Sequence, residues 1–293
     1  MAPPHGSALF QEMKNHWIFS GDAFQGRKCD LMTGKDPALS FQDVNFSYGG
    51  EMVLQGATFS VPPGEFLVIL GPNGGGKTTL LKLALGLLFP LSGKISIFGE
   101  RPGADRGVAG YVPQDAGRNR YFPITVLEVV LQGRIGLPGR RGIRYSGEDR
   151  SAAMEALRSL KMDGMAGRSM GELSQGQRQR VLIARGLASD PRVLFLDEPL
   201  ASIDPDTRDM LLTLLGELRG RMTVVLVSHD MSAVSGHATA IACVNRKVFY
   251  HDSAEIRPGV MEQVWGRCPV ELIAHGVPHR VLAVHGEGKC DHD

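Results

Sequence analysis

The sequence has no apolar run long enough to cross a bilayer. A spanning helix needs about 20 consecutive apolar residues, and the best candidate, Leu80–Leu91, is shorter and carries Lys82. Nor does the start read as a secretory leader. Residues 1–37 mix His5, Glu12, Lys14 and Asp22 around no apolar centre, so the chain is expected to stay in the cytoplasm. Charge of one sign is also lacking. The net charge is +1 over 293 residues, and no global field favours nucleic acid or another polyanion. Cysteine is scarce. Cys29, Cys243, Cys268 and Cys290 lie far apart with no CxxC pair, which predicts free thiols in a reducing compartment rather than a disulfide framework. There is no internal repeat and no low-complexity tract. What remains is ordinary globular composition, 43% hydrophobic and 22% charged, enough to bury a large core in one or two domains.

Residues 1–38 are aperiodic, with glycine and proline, and are expected to form a weakly ordered tail. Leu39–Phe46 and Ala57–Val61 read as strands around a turn at Tyr48-Gly49-Gly50. Phe66–Leu70 is a continuous apolar run, as expected for a strand covered on both faces. A glycine-rich loop follows, then an apolar helix over Lys77–Leu88 and short strands at Lys94–Phe98 and Gly107–Val112. Residues 117–186 change to helical patterns at Thr125–Leu131, Glu148–Leu160 and Gln175–Gly186. Strands return at Arg192–Leu196, Thr223–Val227, Ala238–Val244 and Val248–His251, with a helix at Pro205–Leu218. The order predicts an α/β fold with antiparallel strands, a nucleotide-binding core and a helical insertion. Residues 39–251 would form this domain and 252–293 a C-terminal extension, with a further strand-turn-strand or helical piece over Cys268–Val281.

The loop Gly71-Pro72-Asn73-Gly74-Gly75-Gly76-Lys77-Thr78 matches G-x-x-x-x-G-K-[ST]. Glycines let the backbone curl so that successive N–H groups point at phosphate oxygens. The helix that begins at Lys77 adds the positive end of its dipole. Lys77 is placed for the β- and γ-phosphates and Thr78 for Mg²⁺, and Thr79 continues the contact set. The loop follows an apolar strand and opens a helix, the context that separates this motif from a chance glycine-rich turn.

Val193–Asp197 is an apolar strand ending in two carboxylates, Asp197 and Glu198. Asp197 is placed to reach the Mg²⁺ held by Thr78, and Glu198 to polarise an attacking water. Four weaker signals follow, three of them with an ordinary alternative. Tyr48 could stack on a base or simply pack. Gln114 ends a strand and could contact the metal and the water. Ser174 opens Ser174-Gln175-Gly176-Gln177 and is also a good helix N-cap. His229 ends a further strand, where it could hold the γ-phosphate or be structural.

Taken together and in order, these elements resemble the ATP-binding-cassette ATPases over residues 39–250. The matching parts are an aromatic loop (Tyr48), a Walker A loop (Gly71–Thr78), a Q-loop (Gln114), a signature (Leu173–Gln177), a Walker B strand with a catalytic glutamate (Val193–Glu198), a D-loop (Ala201–Asp204) and a switch histidine (His229). The signature departs from the common pattern at Gln175 and the D-loop at Ile203. Neither change removes a functional group. The resemblance implies an RecA-like P-loop core that binds ATP and Mg²⁺, with Lys77, Gln114, Glu198 and His229 in catalysis and Thr78, Gln114 and Asp197 at the metal. It also implies a homodimer in which Ser174–Gln177 of one chain completes the site of the other.

Transport would then need separate membrane permease subunits and, indirectly, an external solute-binding protein, with this chain peripheral on the cytoplasmic face. The permease is expected to dock after Gln114, along Tyr121–Val126 and Glu128–Arg134. Phe122–Val130, Gly71–Ala84, Val244–Arg246 and Cys268–Leu282 resemble the zinc and manganese importers, and the iron-chelate and cobalamin importers share the cassette. His275, His279, His285, Cys290 and His292 suggest a zinc site in the tail, although a polar tail without a tight ligand spacing is the plainer reading. Cassette motors that act on DNA need a long coiled coil between the two halves, and Thr79–Glu172 has no sustained heptads.

Overall fold

The computed structural model describes residues 36–105, 107–114, 123–137, 144–201, 203–229 and 237–253, together with 264, 273–274 and 280–281. Two strands open it, β1 (Leu39–Tyr48) and β2 (Glu51–Val61), paired antiparallel with Tyr48 opposite Glu51. Gly49 and Gly50 join them, both at positive φ (55° and 93°), as a two-residue hairpin turn of matching twist requires. β2 starts six residues before the expected Ala57, because pairing across that turn extends a stretch, Met52-Val53-Leu54, that does not alternate on its own.

β3 (Phe66–Leu70) is buried along its whole length. It leads through the glycine loop into α1 (Lys77–Ala84). This helix stops four residues short of the expected Leu88. Gly86 turns to φ 70°, the Gly86 N–H bonds Leu83 O at 3.1 Å, and the Leu87 N–H bonds Lys82 O at 2.9 Å. That pair of bonds is a Schellman ending. It leaves Leu87, Phe89 and Leu91 exposed in spite of their helix-compatible pattern. β4 (Ser92–Ser96) then pairs with β1 to complete a three-stranded sheet, β2-β1-β4.

β5 (Ala109–Val112) precedes the helical part, in which α2 (Val126–Leu131), α3 (Gly147–Ser159) and α4 (Gln175–Leu187) each start from a reciprocal capping box. β6 (Val193–Asp197), α5 (Pro205–Glu217), β7 (Thr223–Ser228), β8 (Ala240–Asn245) and β9 (Lys247–His251) follow. The main sheet has six strands in the order β5-β6-β7-β3-β8-β9, parallel except for the β8–β9 hairpin. Within the expected Cys268–Val281 piece, Ile273–Ala274 (β10) and Arg280–Val281 (β11) pair antiparallel.

The sheet divides two cores by the two-residue period of a strand. Phe66, Val68 and Leu70 face one core with α2–α5, while Leu67 and Ile69 face another with α1 and the β1–β2–β4 sheet. Four parallel strands, β5, β6, β7 and β3, therefore bring their carboxyl ends to one edge, where open α/β sheets bind ligands. No helix among the described residues is long and apolar enough to cross a membrane.

Candidate active site

The phosphate loop sits tight against the β8–β9 turn. A Cβ on Gly71 would stand 2.0 Å from the Val244 carbonyl oxygen, and one on Gly75 2.7 Å from the same atom. The Arg246 N–H bonds Gly75 O at 3.1 Å. Only glycine fits backbone packed this closely. Pro72 is half-buried and Asn73 and Gly74 are exposed at the loop's outer bend. Gly76 opens α1 with no side-chain cap, so the first helical N–H groups have no capping oxygen. Lys77 is buried, and its Nζ donates to Gly71 O at 2.9 Å and Pro72 O at 3.0 Å. The ammonium thus lies folded over its own loop. Burial lowers its pKa, against the opposing pull of Glu198 and Asp197.

Asp197 ends β6 at 2% exposure and accepts a hydrogen bond from Thr78 Oγ1 at 3.1 Å. Burial raises its pKa, and the Thr78 bond works the other way. Thr79, also buried, is the next residue of α1. Glu198 follows Asp197 with φ 49°, its N–H bonded to Val227 O at 3.1 Å on β7. Three side chains meet its carboxylate. Gln114 Nε2 donates to Oε2 at 3.0 Å, His229 Nδ1 stands 3.3 Å from Oε2, and Lys77 Nζ stands 3.9 Å from Oε1. Gln114 and His229 follow the ends of β5 and β7, and Lys77 opens α1 at the end of the loop that follows β3, so the parallel order of the sheet explains why residues far apart in sequence converge here.

Other expected residues stand elsewhere. The Tyr48 ring is half-exposed at the β1–β2 turn, edge-on to Phe46 with centroids 4.8 Å apart. Ser174 caps α4, its hydroxyl accepting from the Gln177 N–H while Gln177 Oε1 accepts from the Ser174 N–H. Gln175 is exposed and Gly176 is buried. Asp204 caps α5 through the Thr207 N–H at 2.9 Å. Among the described residues, no hydrogen bond or ion pair joins Ser174–Gln177 or Asp204 to the phosphate loop.

One neighbour of the site escaped the sequence reading. Tyr111 on β5 pairs with Phe195 on β6, two residues before Asp197 on that strand. Its pKa is pushed up to about 12, first by burial and then by the charge and hydrogen bonding of Asp197. A polar-tipped aromatic three residues before Gln114 was the available signal, but only strand pairing reveals its partner.

The oxygen donors around Thr78 and Asp197 fit Mg²⁺, which favours hydroxyl, carboxylate and amide oxygen and keeps several waters. The buried Asp197 carboxylate also calls for positive compensation. Among the described residues, no group of three or more His, Cys, Asp or Glu side chains could hold a metal by itself. His275, His279, His285, Cys290 and His292 lie outside the described residues.

Comparison with known proteins agrees with this architecture. The sequence pattern of the ABC transporter family matches residues 54–201. The zinc uptake system ATP-binding protein ZurA of Listeria innocua is 37% identical over 223 residues, covering 74% of this chain and 86% of the relative. The manganese transport system ATP-binding protein MntB of Bacillus subtilis is 39% identical over 200 residues, covering 68% and 80%. A solved ABC transporter of the metal-chelate type, in an inward-facing conformation, superposes with a TM-score of 0.72 at 31% identity, over 82% of this chain and 93% of its counterpart. A glycine loop backed by a lysine, with a Walker B strand beside it, is thus found here in the sequence and the fold of one family. The chain belongs to the ABC transporter family, as one of its ATP-binding subunits and an ATPase.

Proposed function

We propose that the chain is the motor subunit of an importer for a divalent metal cation, zinc or manganese, and that it works as a dimer on the cytoplasmic face of the plasma membrane. The observation that carries the catalytic part is the convergence of Lys77, Gln114 and His229 on Glu198. In this reading ATP displaces Lys77 from the Gly71 and Pro72 carbonyls, and the ammonium moves onto the β- and γ-phosphates. The N–H groups of Gly74–Thr79 close around the same phosphates. Thr78, Asp197 and Gln114 would hold Mg²⁺, which would supply charge neutralisation on the transferring phosphoryl group.

Glu198 accepts a proton from the attacking water, and the φ of 49° aims its carboxylate at that water from the end of β6. His229 and Gln114 restrain the carboxylate before nucleotide arrives and turn to the γ-phosphate and the water afterwards. Tyr48 offers its exposed ring to the adenine. Ser174–Gln177 of a second copy present a helix N-terminus to the γ-phosphate, with Asp204 ordering the adjoining turn. Hydrolysis removes the group that both copies grip, so a local loss of charge opens the dimer.

The cargo reading rests on relatives named for zinc and manganese, and on the resemblance of Phe122–Val130 and Cys268–Leu282 to that group. None of the ion-selecting chemistry would lie in this chain. It would lie in permease subunits and in the external binding protein that feeds them. An iron-chelate or cobalamin importer is the second reading, supported by the likeness to a metal-chelate type transporter.

One experiment addresses motor and cargo together. Cells starved of metal by a chelator receive either the wild-type gene or Glu198→Gln, and uptake of labelled zinc, manganese and ferric chelate is followed. Wild type should restore zinc or manganese uptake, and Glu198→Gln should lose it. The purified variant should hydrolyse ATP about 100-fold more slowly or worse and accumulate as an ATP-bound dimer on a sizing column. Turnover at the wild-type rate would remove Glu198 from its role, and restoration of ferric chelate uptake alone would move the cargo to the second reading.

A further inference from the structure

We infer that Arg134 is a positioning residue for the signature half of the site. It fixes the far end of α4 and so the placement of Ser174 at the start of that helix. The inference rests on the proposal that Ser174–Gln177 of one copy meets the γ-phosphate held by another.

One short stretch, Ile124–Arg134, grips α4 at both ends. Ahead of Ser174 the hold is backbone to backbone. The Met170 N–H bonds Ile124 O at 3.0 Å, the Val126 N–H bonds Arg168 O at 2.9 Å, and Thr125 and Ser169 pair as an isolated antiparallel bridge. Behind α4 the hold comes from the turn Gln132–Arg134. Gly133 lies so close that a Cβ there would stand 1.9 Å from the Arg185 carbonyl oxygen. Arg134 Nη1 donates to the carbonyl of Ala188, the C-cap residue of α4, at 3.0 Å.

That carbonyl is one of the last four of the helix, which have no partner within it, and a cation suits the negative end of the helix dipole. The same guanidinium donates through Nε to Asp149 at 3.0 Å, and Asp149 is buried in the first turn of α3. Arg134 therefore joins three helices, α2 through the chain and α3 and α4 through its side chain. A guanidinium can do this because its donors form a rigid planar fork and its charge is permanent.

The consequence for the site is one of leverage. α4 has 13 residues and is roughly 20 Å long. Without Arg134 the helix can pivot on the backbone bonds ahead of Ser174. A tilt of about 3° displaces one end of a rod of that length by about 1 Å, and misplacements of that size weaken contacts to a reacting group severely. The phosphate loop and Glu198 lie outside this linkage. They are held by the sheet, so the loss should fall on the signature half alone.

The test uses full chains and a pair of variants that are each inactive, Lys77→Ala and Ser174→Asp. In their mixed dimer the one intact site takes its loop from the Ser174→Asp chain and its signature from the Lys77→Ala chain. Arg134→Gln is added to either chain in turn, and the ATPase rate recovered on mixing is measured. On the Lys77→Ala chain it should lower the recovered rate about tenfold, the loss of one hydrogen bond to a charged group. On the Ser174→Asp chain it should leave the recovered rate within about a factor of two, because the α4 it loosens faces the dead site. Binding of a fluorescent ATP analogue to the Arg134→Gln single variant should match wild type. Arg134→Lys keeps the charge on a single point donor and should show the same asymmetry at smaller size, which provides the comparison if the glutamine variant fails to fold. Equal losses in the two placements would make Arg134 a general support of the fold, and no loss in either would remove its role. If the unmodified pair recovers no activity on mixing, the two-copy site falls and this inference falls with it.

Discussion

Glu198 holds a conformation that non-glycine residues seldom adopt, φ 49°. Such strain costs on the order of 1–3 kcal/mol and persists only where neighbours over-determine it. Here the N–H is pinned to Val227 O on β7, and the carboxylate is met by Gln114, His229 and Lys77. Gly176 shows the opposite constraint, one of space. A Cβ there would stand 2.4 Å from Thr207 Cγ2 on α5. Gly176→Ala should therefore separate α4 from α5 and destabilise the chain by about 1–3 kcal/mol. Thr207→Ser removes the offending methyl. Urea unfolding of the two single variants and the double variant should show the double recovering most of the loss, a coupling of about 1 kcal/mol or more. Additive losses would mean that the clash is relieved elsewhere.

At the scale of elements, the start of each helix in the helical part depends on a cap rather than on propensity. α3 is the best placed to test, because its capping box also holds Arg134. Asp149 accepts from the Ser146 N–H at 2.9 Å and from Arg134 Nε at 3.0 Å, and the same guanidinium bonds Ala188 O. Burial pushes the Asp149 carboxyl up, but the Ser146 and Arg134 bonds outweigh it and hold the pKa below the ordinary value. A depressed carboxylate contributes stability above its unfolded pKa, and that stability is lost as pH falls through the folded one. Asp149→Ala should cost about 2 kcal/mol at pH 7, and the gap to wild type should close as the medium is taken below about pH 4. A gap that stays constant into acid would assign the loss to packing. Of the caps, Ser174 was legible in advance, since a cap is a local rule of three or four positions. So were the phosphate loop and the two carboxylates, each marked by its own strand. The end of α1 was not, because Leu87-Leu88 continues the apolar pattern and the Schellman bonds depend on one glycine at positive φ. Tyr111 was hidden for a different reason, since its partner is set by the pairing of β5 with β6 across more than eighty residues.

At the scale of the molecule, the two halves of the proposed site do not meet within one chain. The phosphate loop lies at the carboxyl edge of the sheet, while Ser174 and Gln177 bond each other at the start of α4. A cyclic two-fold dimer would bring the two halves together twice within its one isologous interface. This can be separated from completion within one chain by mixing two inactive variants. Lys77→Ala damages only the loop. Ser174→Asp keeps an equally good helix cap and sets a carboxylate against the γ-phosphate. In a mixed dimer one site combines both defects, while the other combines an intact Lys77 with an intact Ser174. Mixing at equal concentration should therefore restore ATP hydrolysis, to roughly a quarter of wild-type sites if pairing is random. If each chain completed its own site, every site in the mixture would carry one defect and no activity would return. The variants are inactive alone in both cases, so recovery on mixing is the observation that assigns the second half of the site to a second copy.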